Sequence, residues 1–236
     1  MKTLLLSLGL SAGLFAPAGA QQYISIGPVV GFGHSGVTNG TIKDDIDVHS
    51  KFHPSFDAGI GLIYAKHEHW GFGGELLYSQ EGFKKQGVEQ PLDVTLTQTA
   101  GYIRVPLKVY YFFGGYKQKV RPKVYLGPSF GFKIMDDYKY EGNNDMSDAL
   151  LTMTHPGPLV DFKTFDFGLQ AGAGVNITLS RALWLNLDIN YYQGLLDAAD
   201  DVDNSVFSTH SGYNMNQHLR FQAGVLFGLG KSGKGK

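Results

Sequence analysis

The chain has 236 residues, 43% hydrophobic and 13% aromatic, with 32 glycines, no cysteine and a formal net charge of -1. The lack of a basic excess excludes the usual electrostatic footprint of a nucleic-acid partner, and a chain without cysteine holds neither disulfides nor thiolate metal sites. Abundant glycine and aromatics without a helical period point to an all-β chain.

In chain order, Lys2 is followed by an apolar run from Leu4 to Phe15 and by "APAGA", with small residues at Ala18 and Ala20. This pattern predicts a secretory signal peptide, residues 1-20, cleaved after Ala20. The run is shorter than the roughly 20 apolar residues of a spanning helix. Residues 21-230 are predicted to form one barrel domain, and residues 231-236, "KSGKGK", a basic C-terminal tail.

Eight segments then alternate apolar and other residues with period two, which predicts strands at about 23-33, 55-65, 70-82, 102-113, 122-135, 165-177, 183-192 and 216-229. In "LWLNLDINYY", Leu183, Leu185, Leu187, Ile189 and Tyr191 form one face, and Trp184, Asn186, Asp188, Asn190 and Tyr192 the other. Short connections fall near 66-69, 114-121 and 178-182. Long polar ones are expected at 34-54, 83-97, 136-161 and 196-215. Short links at one end and long loops at the other predict an eight-stranded antiparallel up-and-down transmembrane β-barrel with periplasmic turns and termini.

Period two alone does not say which face points inward. A soluble barrel lines its interior with the apolar face; a membrane barrel inverts that arrangement. The less apolar face here is rich in glycine, which leaves room where side chains share a small volume. It also carries Asp57, Glu75, Asp166 and Asp188 against Arg104, Lys108, Lys133 and Arg220. Such balance suits an enclosed lumen, where an unpaired charge is costly. The apolar face ends in aromatics, with Tyr64, Trp70, Phe72, Tyr111, Phe113 and Phe227 near the short turns and Tyr78, Phe132, Phe165 and Tyr191 toward the other end. Two such girdles around an aliphatic band match a lipid interface, and eight strands enclose a space that side chains fill.

"ELLYSQEGFK", "YIRVPLKVYYFF" leading to "RPKVYLGPSFGFKI", and "DFGLQAGAGVNI" leading to "LWLNLDINYYQGLLD" resemble the PorT-like outer-membrane β-barrel family of Bacteroidota. The resemblance spans about Tyr23 to Leu229 and implies an integral outer-membrane barrel. It implies little about activity, since most members have no assigned biochemical role. The founding member's link to protein secretion is not carried over from the fold.

The eight lumen charges are expected to form a structural ion network, with Glu75 answered by Arg104 or Lys108. "GLGKSGKGK" fails as a phosphate loop on spacing and lacks a following helix. His34, His49, His53, His155 and His210 gather with the acidic stretches "DDID" and "DAADDVD" at the long-loop end, but their spacing fits neither a calcium loop nor a zinc pair. Ser208, His210 and Asp203 would be the triad of a rim enzyme acting on lipid; nothing in their spacing marks activation. The expectation is a non-enzymatic barrel without catalytic, cofactor or metal residues. It would meet outer-membrane lipid and offer its external loops to an envelope protein or polysaccharide. The alternatives are a lipid-modifying enzyme and a narrow channel.

Overall fold

The structure is a computed structural model that describes residues 24-39, 48-65, 67-89, 92-115, 118-141, 160-180, 182-201 and 214-229. The strands are β1 (Ile24–Asn39), β2 (Val48–Lys51), β3 (His53–Tyr64), β4 (Trp70–Glu89), β5 (Leu92–Phe112) and β6 (Val120–Glu141), then β7 (Val160–Phe162), β8 (Phe165–Ser180), β9 (Leu183–Gly194), β10 (Ala199–Asp201) and β11 (Asn214–Leu229).

Eight of these form a ring, in the order β1, β3, β4, β5, β6, β8, β9, β11 and back to β1, every pair antiparallel. The ring is closed, so no edge in the wall is left with unpaired backbone groups, as a hydrocarbon environment demands. The predicted faces hold all round it. Phe72, Leu76, Ile60, Val30 and Leu126 are exposed on the outer wall, while Asp57, Glu75, Arg104, Lys108, Asp166 and Asp188 are buried inside.

The barrel is lopsided in height. β3 and β9 have 12 residues each, whereas β4, β5 and β6 have 20, 21 and 22. The excess of about ten residues, roughly 33 Å of extended chain at ~3.3 Å per residue, projects beyond the long-loop end. The β4 to β5 ladder continues to Glu89 and Leu92, leaving residues 90 and 91 between them, and β2 pairs with β4 over Lys84 to Gly87 to add a fourth strand. The expected loop at 83-97 is therefore strand over 83-89 and 92-97. The stretch reads as a loop because Lys84, Lys85, Gly87 and Pro91 interrupt it, although Leu92, Val94 and Leu96 still alternate with Asp93, Thr95 and Thr97. Thr95, Thr97 and Thr99 still sustain the strand through β-branching. Similarly, β2, β7 and β10 lie within or at the margins of stretches expected as loops.

A register shift at Gly101/Tyr102 opposes β6, where Lys133 faces Tyr102 and Met135 faces Gly101. Ile134 and Met135 are both exposed there, and beyond the shift Asp136 and Tyr138 pair with the buried Ala100 and Gln98 of β5. A bulge re-aims side chains in just this way.

Candidate functional site

The interior is organised in tiers from the short-turn end upward. Lowest is an apolar cluster of Ile63, Tyr110, Phe112, Tyr125 and Leu226. The Arg121 guanidinium lies 4.6 Å from the Phe112 ring and donates to the Glu68 carbonyl.

Above it sit two ion pairs. Lys108 Nζ is 2.5 Å from Glu75 Oε1, and Lys123 Nζ is 3.0 Å from Asp188 Oδ2. Both ammonium groups also face ring planes, Lys108 at 4.7 Å from Tyr125 and Lys123 at 5.2 Å from Tyr110. Cation–π attraction there substitutes for part of the lost hydration. Gln222 Nε2 links this tier to the next, donating to Glu75 Oε2 at 3.2 Å and to Asp57 Oδ1 at 3.4 Å.

The third tier holds two arginines. Arg220 donates to Asp57 Oδ2 at 3.1 Å, Ser55 Oγ at 3.1 Å, Ser79 Oγ at 2.8 Å and the Gln80 carbonyl at 3.1 Å. Arg104 grips both carboxylate oxygens of Glu81 and reaches Asp166 Oδ2 at 2.6 Å. Asp166 also accepts from Tyr192 Oη at 2.9 Å and Asn216 Nδ2 at 3.1 Å. Arg104 lies between the rings of Tyr102 and Tyr192, 5.0 and 4.2 Å from their centroids, and His218 stacks on Tyr192 at 4.9 Å. Planar, bidentate and stacked contacts of this kind are what a guanidinium offers and an ammonium does not.

The network accounts for the glycines. Gly31 is the cross-strand neighbour of Asp57, Gly61 of Glu75, Gly73 of Lys108, Gly33 of Arg220, Gly131 of both Arg104 and Asp166, and Gly174 of both Lys123 and Asp188. A Cβ built on Gly174 or Gly31 falls onto the carboxylate of Asp188 or Asp57. Glycine opposite these charges leaves the volume in which a long side chain can lie across a narrow lumen.

Of the eight expected lumen residues, seven are in this network. Lys133 differs: it stands at the rim, with its side chain 18% exposed, and binds Asp136 at 3.3 Å, Asp161 at 3.4 Å and the Phe162 carbonyl. It pairs with the buried Tyr102 at the last regular position before the register shift, one level above the arginine tier. The sequence reading missed Glu81, Arg121, Lys123 and His218. The signal was present, since alternation carried on from Glu75 reaches Glu81, and carried back from Gly127 reaches Lys123 and Arg121. With these, five buried acids face five buried Lys or Arg residues among the described residues. Glu75 is answered by Lys108, because Glu81 and Asp166 occupy Arg104.

At the long-loop end β7 pairs with β10. Phe162 and Ala198 are buried there, and Phe162 packs on Phe83 with centroids 6.2 Å apart. Lys163 Nζ to Asp197 at 3.0 Å and Asp197 to the Asn214 amide at 2.8 Å tie this ribbon to the rim.

His53 and Ser35 are in contact, Nδ1 to Oγ at 3.1 Å, but both are buried, the hydroxyl donates to the Gly82 carbonyl, and Nε2 meets Thr99 Oγ1 at 3.2 Å. That is a wall contact across four strands, without a carboxylate to activate it. His34 Nδ1 accepts from the His53 amide at 3.1 Å and its ring stacks on Phe52. Among the described residues no three His, Asp or Glu side chains are grouped to hold a metal. The His49 side chain, His155, Asp203, Ser208, His210 and the 231-236 tail lie outside the described residues. The ten expected girdle aromatics all fall on the outer wall, with Trp70, Tyr111 and Phe113 in edge-to-face contact at 5.1 Å.

A closed eight-stranded barrel with an apolar, aromatic-bordered exterior and a charged interior defines the transmembrane class of β-barrel. The family model for the outer membrane protein beta-barrel domain matches residues 19–200, and the chain belongs to that family. It is an integral outer-membrane β-barrel protein. Among solved structures it is similar to OprG from Pseudomonas aeruginosa, at 14% identity and a TM-score of 0.49, over 87% of this chain and 92% of that one. It is also similar to Neisserial surface protein A, at 14% identity and a TM-score of 0.40, over 87% and 97%. A third similarity is to Ail of Yersinia pestis in complex with a heparin analogue, at 12% identity and a TM-score of 0.35, over 86% and 99%. No curated protein matches the chain.

Proposed function

We propose that this protein is a non-enzymatic outer-membrane interaction protein. In this reading a rigid barrel holds a surface-exposed sheet and loops for an envelope protein or polysaccharide, in a PorT-like Bacteroidota setting. The observation that carries the reading is the one-sided ribbon. β4, β5 and β6 run about ten residues past the height of β3 and β9, and extended backbone beyond the bilayer is a platform a pore or a lipid enzyme does not need. The short-turn end and both termini face the periplasm, with the signal peptide removed after Ala20.

A filled lumen belongs to the same reading. It is supported by the ion tiers, by the apolar cluster of Ile63, Tyr110, Phe112, Tyr125 and Leu226 beneath them, and by Phe162 on Phe83 above. Buried salt bridges that share hydrogen bonds hold a unique geometry and are costly to break singly.

The test is photo-crosslinking from exposed positions of the ribbon, such as Lys139 and Asp137, in intact cells, followed by identification of what is captured. A specific envelope protein or polysaccharide, lost when the ribbon is cut back to Gln80 and Phe132, is the expected result. Capture that survives the truncation, ion conductance across a planar bilayer, or altered lipid A acylation in a deletion strain would each overturn it.

A further inference from the structure

The interior is uneven around its circumference. Toward β1, β3, β4 and β11 the buried side chains answer one another, Gln222 donating to Glu75 and Asp57, and Arg220 to Asp57, Ser55 and Ser79. Toward β6, β8 and β9 they do not. Three successive inward rows cross those strands: Arg121, Asn176 and Asn186; then Lys123, Gly174 and Asp188; then Tyr125, Gly172 and Asn190. In these rows Asn176 Oδ1, Asn186 Oδ1, Asp188 Oδ1, Tyr125 Oη and both amide atoms of Asn190 are buried without a hydrogen-bond partner among the described residues. Buried polar groups are nearly always paired, so five open side chains in three adjacent rows call for a ligand.

The wall does not supply one. Leu187 and Ile189, which alternate with Asp188 along β9, face outward at mid-barrel, where the surroundings are hydrocarbon. Nor do the side chains satisfy one another. Tyr125 and Asn190 face each other across Gly172 without closing a hydrogen bond, and Asp188 Oδ1 lies against Gly174, 1.9 Å from where a Cβ would stand. There is room beside them: the side chains of Glu75 and Asp188 keep 6% and 5% of their surface open although both point into the closed ring.

The chemistry of the open atoms selects the ligand. Most are acceptors, and the Lys123 ammonium lies among them, already bound to Asp188 Oδ2 at 3.0 Å. A metal cation would be repelled by that ammonium at close range, whereas a water molecule donates to two acceptors and brings no charge. From this we infer that the β6, β8 and β9 side of the lumen is a binding site for a small cluster of ordered water, held by Tyr125, Asn176, Asn186, Asp188 and Asn190. Buried water typically makes about three hydrogen bonds to groups that would otherwise go unsatisfied, and the three rows offer that number at neighbouring heights. The inference deepens the filled-lumen part of the reading proposed above: on this side the filling is bound solvent, sealed below by the cluster of Ile63, Tyr110, Phe112 and Leu226.

The test is radiolytic hydroxyl-radical footprinting of the full protein in lipid nanodiscs, in which X-rays generate radicals in place from bound water. Tyr125, only 4% exposed, is expected to be oxidised at a rate approaching that of Tyr138 on the exposed ribbon, while Phe112, 1% exposed, stays unlabelled. Asn190→Leu keeps a side chain of similar size and removes the amide, and is expected to lower oxidation of Tyr125 and leave that of Tyr138 unchanged. An unlabelled Tyr125, or labelling that a folded Asn190→Leu leaves unchanged, would overturn the inference alone and leave a lumen filled by side chains standing. Labelling of Phe112 together with Tyr125 would show a continuous water path and overturn both readings. Labelling of Tyr125 that changes when sodium is exchanged for choline would assign the site to a cation and overturn the water cluster. The measurement on the unmodified protein keeps the test decisive if Asn190→Leu does not fold.

Discussion

Replacing Lys108 with methionine removes a charge while keeping an unbranched stem of similar reach. Lys108 and Glu75 have side chains 0% and 6% exposed and sit 2.5 Å apart, so their pairing is little screened by water. In the variant the Glu75 carboxylate keeps one polar partner in the described network, Gln222 at 3.2 Å. Stranding a buried charge in this way costs about 3–5 kcal/mol. The double variant Lys108→Met/Glu75→Gln strands nothing, and should recover most of that loss. Equilibrium unfolding in urea from lipid vesicles, followed by gel mobility of the folded barrel and by fluorescence of Trp70 and Trp184, reads both. The cycle should give a coupling of at least about 2 kcal/mol, within the range for residues in direct contact. Arg104→Met combined with Glu75→Gln should be additive to within about 0.5 kcal/mol, because Arg104 is held by Glu81 and Asp166. Coupling to Arg104 in place of Lys108, or a Lys108→Met cost below about 1 kcal/mol, a surface-pair magnitude, would refute this account of the interior.

Leu187 faces outward midway along β9, between Leu183 and Tyr191. Leu187→Arg should cost about 2–4 kcal/mol near the midplane, and Asn186→Ser on the lumen face far less; equal losses in a vesicle-folding equilibrium would reverse the faces. Gly174→Val puts atoms onto the Asp188 carboxylate and the Leu187 backbone, so overpacking should remove about 1–3 kcal/mol. The neighbouring Ala173→Val points to lipid and should be nearly neutral in the same unfolding assay. Phe162→Ala deletes the buried contact with Phe83, and a loss of even about 1.4 kcal/mol raises the opened population tenfold. Trypsin should then cleave after Lys163 about ten times faster in intact cells, and an unchanged rate would show that Phe162 does not hold the ribbon down.

Alternation along the chain determined the number of wall strands, the closed all-β architecture and the facing of the wall residues. It did so because side chains of a strand point alternately to two sides, and here those sides are lipid and an enclosed interior. Asp57, Glu75, Asp166 and Asp188 could be assigned to the interior from their own strands, and so could Glu81 and Lys123 once alternation is followed to its end. Partnership was not legible. The ladder sets Gly73 opposite Lys108 and Leu77 opposite Arg104, so Glu75, between them, is equally far along the strand from both bases. Only the closed ring, which brings Asp166 of β8 and Glu81 of β4 onto Arg104, decides the choice. The ribbon past Gln80 and Phe132, and the rim partners Asp136 and Asp161 that take Lys133 out of the lumen network, were likewise tertiary outcomes. Lys84, Lys85, Gly87 and Pro91 interrupt the apolar pattern there and read as a loop, and strand extent is settled by which neighbouring chain is there to pair with it.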